Sequence, residues 1–283
     1  MKKIVCIGGL NLDILGTTNE RLIYKDSNIG SVILKRGGVA SNIAGIIANE
    51  KNIESYVISS LSNDIFAEFL KQEAEKQGIN CSLLIKTKEK SPIYLAIHDE
   101  TGEMQLAIND TEAVNALKAD EILEKYNKIK NFSCVVLDSN LNEDCLVELS
   151  KSIDIPIVAD PVSTRKASRL KSIFNRIYAF KPNLSEALEL TGKSCVEDAA
   201  KCLVDFGIKQ VYISLGSEGV YYSDSHSKGK IKAERLRLKH VTGAGDSFVA
   251  GIAIGIARGL SIEETALLGT KKASEHLMKT NED

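Results

Sequence analysis

Residues 242 to 248 read Thr-Gly-Ala-Gly-Asp-Ser-Phe and lead directly into a run of small and apolar residues that ends at Ala257. Gly243 and Gly245 allow backbone conformations in which several N–H groups point toward one spot. A helix that begins here adds the positive end of its dipole, because its first N–H groups have no partners inside the helix. The stretch therefore predicts an anion-binding helix start with one carboxylate, Asp246, at its rim.

A carboxylate at the edge of an anion site needs a chemical explanation, because it repels a bound phosphate. The placement makes sense if Asp246 accepts the proton of a hydroxyl group that attacks phosphorus. The backbone N–H groups of Gly243, Ala244 and Gly245 would then stabilise the charge on the transferring group. These residues predict phosphoryl transfer to a small molecule. The alternative is a glycine-rich helix start in which Asp246 only caps the first turn.

The same stretch resembles the C-terminal signature of the PfkB, or ribokinase-like, carbohydrate kinase family, and Arg36-Gly-Gly-Val-Ala-Ser-Asn42 resembles its N-terminal signature. The resemblance extends over nearly the whole chain. It implies an α/β fold of three layers, with a mostly parallel central sheet flanked by helices and a small β-sheet lid. It also implies a kinase that uses ATP and Mg²⁺, and a homodimer formed through the lid.

The order of apolar patterns along the chain predicts the same class of fold. At 283 residues with 43% hydrophobic content, the chain is long enough for one large core, and we expect a single kinase domain over residues 1–283. Strand and helix patterns alternate along most of it, which favours a parallel sheet covered on both faces. Two β segments, about 12–36 and 91–110, have no place in that alternation, and we expect them to form the lid over the carboxyl ends of the strands.

Charge and composition exclude several partners. The net charge is −2 with both signs interspersed, so we expect neither nucleic acid nor an anionic membrane surface as a partner. No apolar run approaches the length of a membrane span. The six cysteines lack a C-x-x-C pair, which favours buried small side chains in a reducing compartment and a cytoplasmic protein.

The segment after the first strand, Gly8-Gly9-Leu-Asn11-Leu-Asp13, predicts a site for a polyhydroxyl substrate. Dinucleotide binding is improbable here, because the third glycine and the helix of that fingerprint are both missing. Asn11 and Asp13 can hydrogen-bond the hydroxyl groups of a sugar, and the resemblance implies this role for Asp13. A simple turn is the alternative.

A second segment is expected to face the same sugar, through the backbone N–H groups of Gly37 and Gly38 and the side-chain amide of Asn42. A helix cap also explains the two glycines.

The segment Lys181-Pro-Asn183-Leu-Ser-Glu186 follows a predicted strand and fits a capping box at a helix start. The resemblance adds a second role at two of these positions. It implies that Asn183 binds the nucleotide phosphates and that Glu186 organises Mg²⁺ through water.

Three further segments are candidates for nucleotide binding. Thr191-Gly-Lys-Ser194 looks like the end of a P-loop, but the required first glycine would fall at Ala187, so we interpret it as a helix stop. The resemblance implies instead that the turn after the strand at 210–215 lines the ribose and phosphates. It likewise implies an adenine pocket on the last helix. The turn residues are Ser214, Gly216 and Gly219, and the residues of the adenine pocket are Gly269, Ala273 and Ser274. Thr242 is a further candidate for nucleotide binding.

The segment Asp160-Pro-Val-Ser-Thr-Arg-Lys166 departs from the sugar-kinase pattern, in which an asparagine follows Asp-Pro. Lys166 is a candidate for binding the substrate or its transferring phosphate. A solvated basic face that includes Arg165 is the alternative.

The substrate prediction comes from Gly102-Glu-Met-Gln-Leu-Ala-Ile-Asn-Asp110 together with Asp160-Pro-Val-Ser163, which resemble the pseudouridine kinase branch of the family. Asn109 and Asp110 would hydrogen-bond the base, and the acceptor would be the 5′-hydroxyl of pseudouridine. Thr111 differs from the methionine usual in that branch. A kinase for another nucleoside or a ribose-like sugar, and a regulator without turnover, are the alternatives.

Overall fold

The computed structural model describes residues 1–234 and 242–282, and within them the chain forms a large central sheet and a smaller four-stranded one. Six neighbouring strands of the central sheet are parallel, and the two strand pairings at the far end of the row are antiparallel. In spatial order they are β4 (Ile53–Ile58), β1 (Lys2–Ile7), β9 (Cys134–Asp138), β10 (Ile157–Asp160), β11 (Ala179–Phe180), β12 (Gln210–Ser214), β13 (Val220–Ser223) and β14 (Lys228–Ile231). The predicted mostly parallel sheet is confirmed.

Helices cover the central sheet on both faces because successive strand residues point to opposite sides. In β1, Val5 and Ile7 belong to one apolar cluster and Ile4 and Cys6 to the other. The first cluster is closed by α4 (Ala119–Tyr126), α5 (Glu143–Ser152), α7 (Leu184–Thr191) and α8 (Val196–Asp205). The second is closed by α1 (Val39–Ala48), α2 (Ile65–Lys76), α9 (Ala244–Arg258) and α10 (Ile262–Glu282). Short helices α3 (Glu112–Asn115) and α6 (Thr164–Ala167) lie in connections.

The smaller sheet is formed by the two segments that the sequence predicts as a lid. Its strands lie in the order β3 (Gly30–Gly37), β2 (Asn11–Thr18), β7 (Ile93–His98) and β8 (Met104–Asp110). Within this sheet β2 pairs antiparallel with β3, and β7 pairs antiparallel with β8. The pair that joins the two segments, β2 and β7, is parallel. Two short strands, β5 (Ser60–Leu61) and β6 (Ile85–Lys86), form a separate pair.

The sequence also predicts a strand over residues 176–180, and this prediction is wrong in its extent. A 3₁₀ helix occupies Ser168–Arg176, and only Ala179 and Phe180 pair in the sheet. Arg176 is held away from the sheet because its guanidinium donates hydrogen bonds to the carbonyl oxygens of Ser150 and Ile153 at the end of α5.

Two cysteines also depart from expectation. Four of the six are buried, but Cys195 is exposed and Cys202 is partly exposed.

Among the described residues, no helix has the length and apolar character needed to cross a membrane.

Candidate functional site

Asp246 lies in the first turn of α9 and meets a residue from the other end of the chain. Helix α9 begins after Gly243, which takes a left-handed backbone conformation with φ of 83°. The amide nitrogen of Asn42 donates a hydrogen bond of 2.9 Å to Oδ2 of Asp246. Asn42 and Asp246 are 204 residues apart along the chain, so the two signature segments form one site.

The Asp246 carboxylate is suited to accept a proton near neutral pH. Its environment raises its pKa to about 7, first through loss of hydration and then through the charge of Asp160. The hydrogen bond from Asn42 and the charge of Lys181 act in the opposite direction, and Asp138 adds to the rise. A carboxylate of ordinary pKa would be a weaker base, so this shift suits general-base chemistry.

The backbone before α9 is restrained by a histidine that the sequence analysis did not single out. The Nε2 atom of His276 lies 3.2 Å from the carbonyl oxygen of Thr242. A Cβ at Gly243 would collide with the same imidazole ring. The positive φ and the close ring together explain why glycine is needed at this position.

The end of β1 and the start of β2 present the predicted sugar-binding residues. Asn11 is buried, and its amide donates a hydrogen bond of 2.5 Å to Oδ1 of Asp13. The backbone of Gly37 lies so close to Asp13 that a Cβ there would overlap the carboxylate. Burial raises the pKa of Asp13, while Lys35 and the Asn11 hydrogen bond lower it. This arrangement leaves a carboxylate oxygen available for hydroxyl groups.

Strand register places Asp13 and Asn109 on the same face of the lid sheet. Asp13 pairs with Lys35 on one side and with Tyr94 on the other, and Tyr94 pairs with Asn109. Paired residues point to the same face, so these four side chains form one row across the sheet. Two strand spacings, about 10 Å in total, separate Asp13 from Asn109. Register places Asp110, the last residue of β8, on the opposite face, but at this strand end it still lines the same cavity as Asn109.

Asp138, at the end of β9, links the parts of this region. Its Oδ2 accepts hydrogen bonds from the N–H groups of Gly9, at 2.8 Å, and Ala40, at 2.9 Å. Its Oδ1 accepts from the N–H group of Asn140. Burial raises the pKa of this carboxyl. Asp138 thereby fixes the turn before β2 and the beginning of α1 relative to the central sheet.

A polar cavity of about 190 Å³ lies at the foot of the lid. Nζ of Lys166 donates a hydrogen bond of 2.7 Å to Oδ1 of Asn140 in its wall. Burial lowers the pKa of Lys166. The lining residues are Asn109, Asp110, Thr111, Glu112, Asn115, Asn140, Lys166 and Arg169. Lys166 and Asn109 therefore line one cavity, and the contact of Lys166 with the substrate or its transferring phosphate stays a prediction.

A larger cavity of about 500 Å³ contains three of the predicted nucleotide-binding residues, Asn183, Ser214 and Gly216. The capping box is present: Oδ1 of Asn183 accepts from the N–H of Glu186, and Oε2 of Glu186 accepts from the N–H of Asn183. Burial raises the pKa of Glu186. Gly192 takes the left-handed conformation that ends α7, as expected of a helix stop.

The remaining predicted nucleotide residues do not line this cavity. Gly219 closes the turn between β12 and β13 with φ of 98°. Gly269 lies where α10 crosses α9, since a Cβ there would approach the Phe248 ring at 2.9 Å. Ala273 contacts the adjacent core and Ser274 is buried. The role of Gly269, Ala273 and Ser274 toward adenine stays a prediction, as does that of Gly219 toward the ribose and phosphates.

Several residues of the site escaped the sequence analysis: Tyr94, Asp138, Asn140, Lys181 and His276. Asp138-Ser-Asn140 lies at the carboxyl end of an apolar strand, and polar residues near a strand end are the same signal that identified Asp13. Lys181 stood inside a segment chosen for other residues. His276 had no local signal, because only the packing of α10 brings it to Gly243.

Comparisons with known proteins agree with this geometry. The pfkB family carbohydrate kinase profile matches residues 1–281. Pseudouridine kinase of Escherichia coli strain K12 is 34% identical over 270 residues, which cover 93% of this chain and 86% of that protein. A carbohydrate kinase from Agrobacterium tumefaciens has a TM-score of 0.85 at 26% identity, over 97% of this chain and 90% of that one. Ribokinase from Thermotoga maritima has a TM-score of 0.87 at 23% identity, over 98% and 93% of the two chains, which shows the ribokinase-like fold.

Proposed function

The chain belongs to the pfkB family of carbohydrate kinases, phosphotransferases with an alcohol acceptor, and we propose that it phosphorylates the 5′-hydroxyl of pseudouridine with ATP. The observation that carries this proposal is the row Asp13, Tyr94 and Asn109, which runs across the lid sheet to the polar cavity. Its length of about 10 Å accommodates a ribose at Asp13 and a base at Asn109. The similarity to the Escherichia coli enzyme supports the same substrate.

The polar cavity has the hydrogen-bonding groups that this base requires. The pseudouridine ring carries two N–H donors and two carbonyl acceptors. Asn109, Asn140 and Lys166 supply amide and ammonium donors, and the amides and Asp110 supply acceptors. Uridine lacks one of the two ring N–H groups, so an acceptor placed for that group is left without a partner when uridine binds.

The chemical step follows from the position of Asp246. The 5′-oxygen attacks the γ-phosphorus and forms a new O–P bond, while the bond between this phosphorus and the bridging oxygen breaks and its electron pair leaves with ADP. Asp246 accepts the hydroxyl proton. Asn42 holds the carboxylate during this transfer. The N–H groups of Gly243, Ala244 and Gly245 stabilise the charge on the transferring group.

ATP is proposed to lie with its phosphates between the larger cavity and the start of α9, in contact with Asn183, Ser214, Gly216 and Thr242. The family implies Mg²⁺ as well, which would neutralise charge on the phosphates. Among the described residues no group of three acidic, histidine or cysteine side chains could hold a metal. The proposed Mg²⁺ would be held mainly by phosphates and water, with Glu186, whose Oε1 is outside the capping box, acting through water.

We also propose a homodimer formed through the lid face opposite Asp13. Register places Val32, Leu34, Leu106 and Ile108 on this face, together with the central residues Ile14 and Leu95. Val32 is 66% exposed and Leu106 is 59% exposed. Contiguous apolar surface of this kind is typical of an interface, and a second copy offers a matching patch through two-fold symmetry.

The proposed substrate is tested by steady-state phosphorylation of pseudouridine, uridine and ribose with ATP and Mg²⁺. We expect the largest kcat/KM for pseudouridine. Asn109→Ala should weaken transition-state binding of pseudouridine by about 1 to 3 kcal/mol, which lowers kcat/KM for pseudouridine. The same variant should change the turnover of ribose little. Asp13→Ala should weaken all three.

Two outcomes of this panel would favour the alternatives. Faster phosphorylation of ribose than of pseudouridine, or an equal effect of Asn109→Ala on all substrates, points to a general sugar or nucleoside kinase. Binding of a nucleoside without any turnover of ATP points to a regulator.

A further inference from the structure

Lys181 is a buried lysine beside the helix start that carries Asp246. It follows β11 directly and is 7% exposed. A Cβ at Gly245 would lie 3.1 Å from its Nζ atom. The ammonium group therefore borders the backbone N–H groups proposed to bind the transferring phosphoryl group.

The ammonium group of Lys181 is incompletely paired. Its nearest anionic partner is Asp160, with 3.7 Å between Nζ and Oδ2, which is longer than a hydrogen bond between charged groups. Within residues 1–234 and 242–279, no acceptor is recorded within hydrogen-bond distance of this Nζ. Oδ1 of Asp160 instead accepts from the N–H of Val162.

Burial of an unsatisfied charge is unfavourable unless a ligand completes its coordination. A phosphoryl group that approaches the start of α9 would supply oxygen acceptors at the place where Nζ lies. The neighbouring carboxylates of Asp160 and Asp246 both disfavour an incoming anion, and the ammonium charge of Lys181 offsets part of this repulsion. The charge of Lys181 already acts on Asp246, whose pKa it lowers.

We propose that Lys181 is a further catalytic residue, which donates a hydrogen bond to a non-bridging oxygen of the phosphoryl group during its transfer. This inference rests on the kinase activity of the family and not on the identity of the nucleoside. The competing explanation is that Lys181 only neutralises Asp160.

Kinetics in two backgrounds separate these explanations, with the acceptor that the wild-type enzyme phosphorylates fastest. Lys181→Met should lower kcat by about 10²- to 10³-fold, the usual effect of losing one donor to transition-state charge, with little change in the acceptor KM. The same loss should appear when Asp160→Asn is compared with the Asp160→Asn/Lys181→Met double variant, because no carboxylate remains there to neutralise. Lys272→Met is the matched control, since Lys272 pairs with Glu50 at 2.8 Å, and it should keep wild-type kcat.

Binding of ADP with aluminium fluoride, a mimic of the phosphoryl group in transfer, gives a readout that does not need turnover. Aluminium fluoride should tighten ADP binding by wild-type enzyme and by Lys272→Met, and this gain should disappear in Lys181→Met. Thermal unfolding checks that each variant is folded, and the Asp160→Asn pair serves if Lys181→Met alone does not fold. Recovery of kcat in the double variant, or an unchanged gain with aluminium fluoride, would overturn the proposal.

Discussion

Asp246 is the residue on which the proposed chemistry depends most directly. Asp246→Asn keeps the shape of the side chain and its hydrogen bond from Asn42, but it removes the ability to accept a proton. We expect kcat to fall by roughly 10²- to 10⁴-fold while the affinity for the acceptor, measured by calorimetry, changes little. Near wild-type kcat in this variant would exclude Asp246 as the base.

The raised pKa of Asp246 also predicts how activity and stability change with pH. Only the ionised carboxylate accepts a proton, so kcat/KM should rise as pH increases through about 7. Stability changes in the opposite direction. The folded-state pKa lies above the ordinary value of 3.8, so the stability linked to protonation of this group is present in acid and is lost as pH rises through about 7.

Asp246→Asn provides the control for this pH dependence. Its residual activity should lack the inflection near pH 7, and its Tm should exceed that of the wild-type protein above that pH. An inflection that persists in the variant belongs to another group and would contradict the assignment.

At the same scale, local motifs could predict some residues of the site and not others. Asp246 and Asn42 stand in short segments whose glycines and helix starts are visible in the sequence. Lys181 lacks such a signal, because its importance depends on the distance of 3.7 Å to Asp160, which comes from a neighbouring strand. Tertiary packing creates that relation, so spacing along the chain does not contain it.

The elements of the fold were predictable where a pattern is long enough to repeat. For residues 143–152 the sequence predicts a helix with the bounds that α5 has, because the apolar positions recur at helical spacing. Strand β11 has only two residues, too few for a period of two to be recognised. Its position depends instead on pairing with β10 and β12.

The lid is the element expected to respond to the acceptor. If β7 and β8 close over the nucleoside, their amide hydrogens should exchange more slowly in its presence. Hydrogen exchange detected by mass spectrometry over residues 93–110 measures this effect. Strand β14, which also lies at the end of a described sheet and outside the lid, is the internal control and should keep its rate. Equal protection of residues 93–110 in the free and bound protein would rule out a closing lid.

The whole molecule is proposed to be a two-fold dimer, and the apolar lid face makes this testable. Leu106→Glu places a carboxylate on that face, and two-fold symmetry places two of them in one interface, where unpaired burial costs several kcal/mol. Ile65→Glu is the matched control, because Ile65 is 83% exposed at the beginning of α2, where a negative charge is favourable. Sedimentation equilibrium should give twice the chain mass of 30.8 kDa for the wild-type protein and for Ile65→Glu, and a single chain mass for Leu106→Glu. A wild-type monomer at micromolar concentration, or a Leu106→Glu dimer, would show that this face does not join two copies.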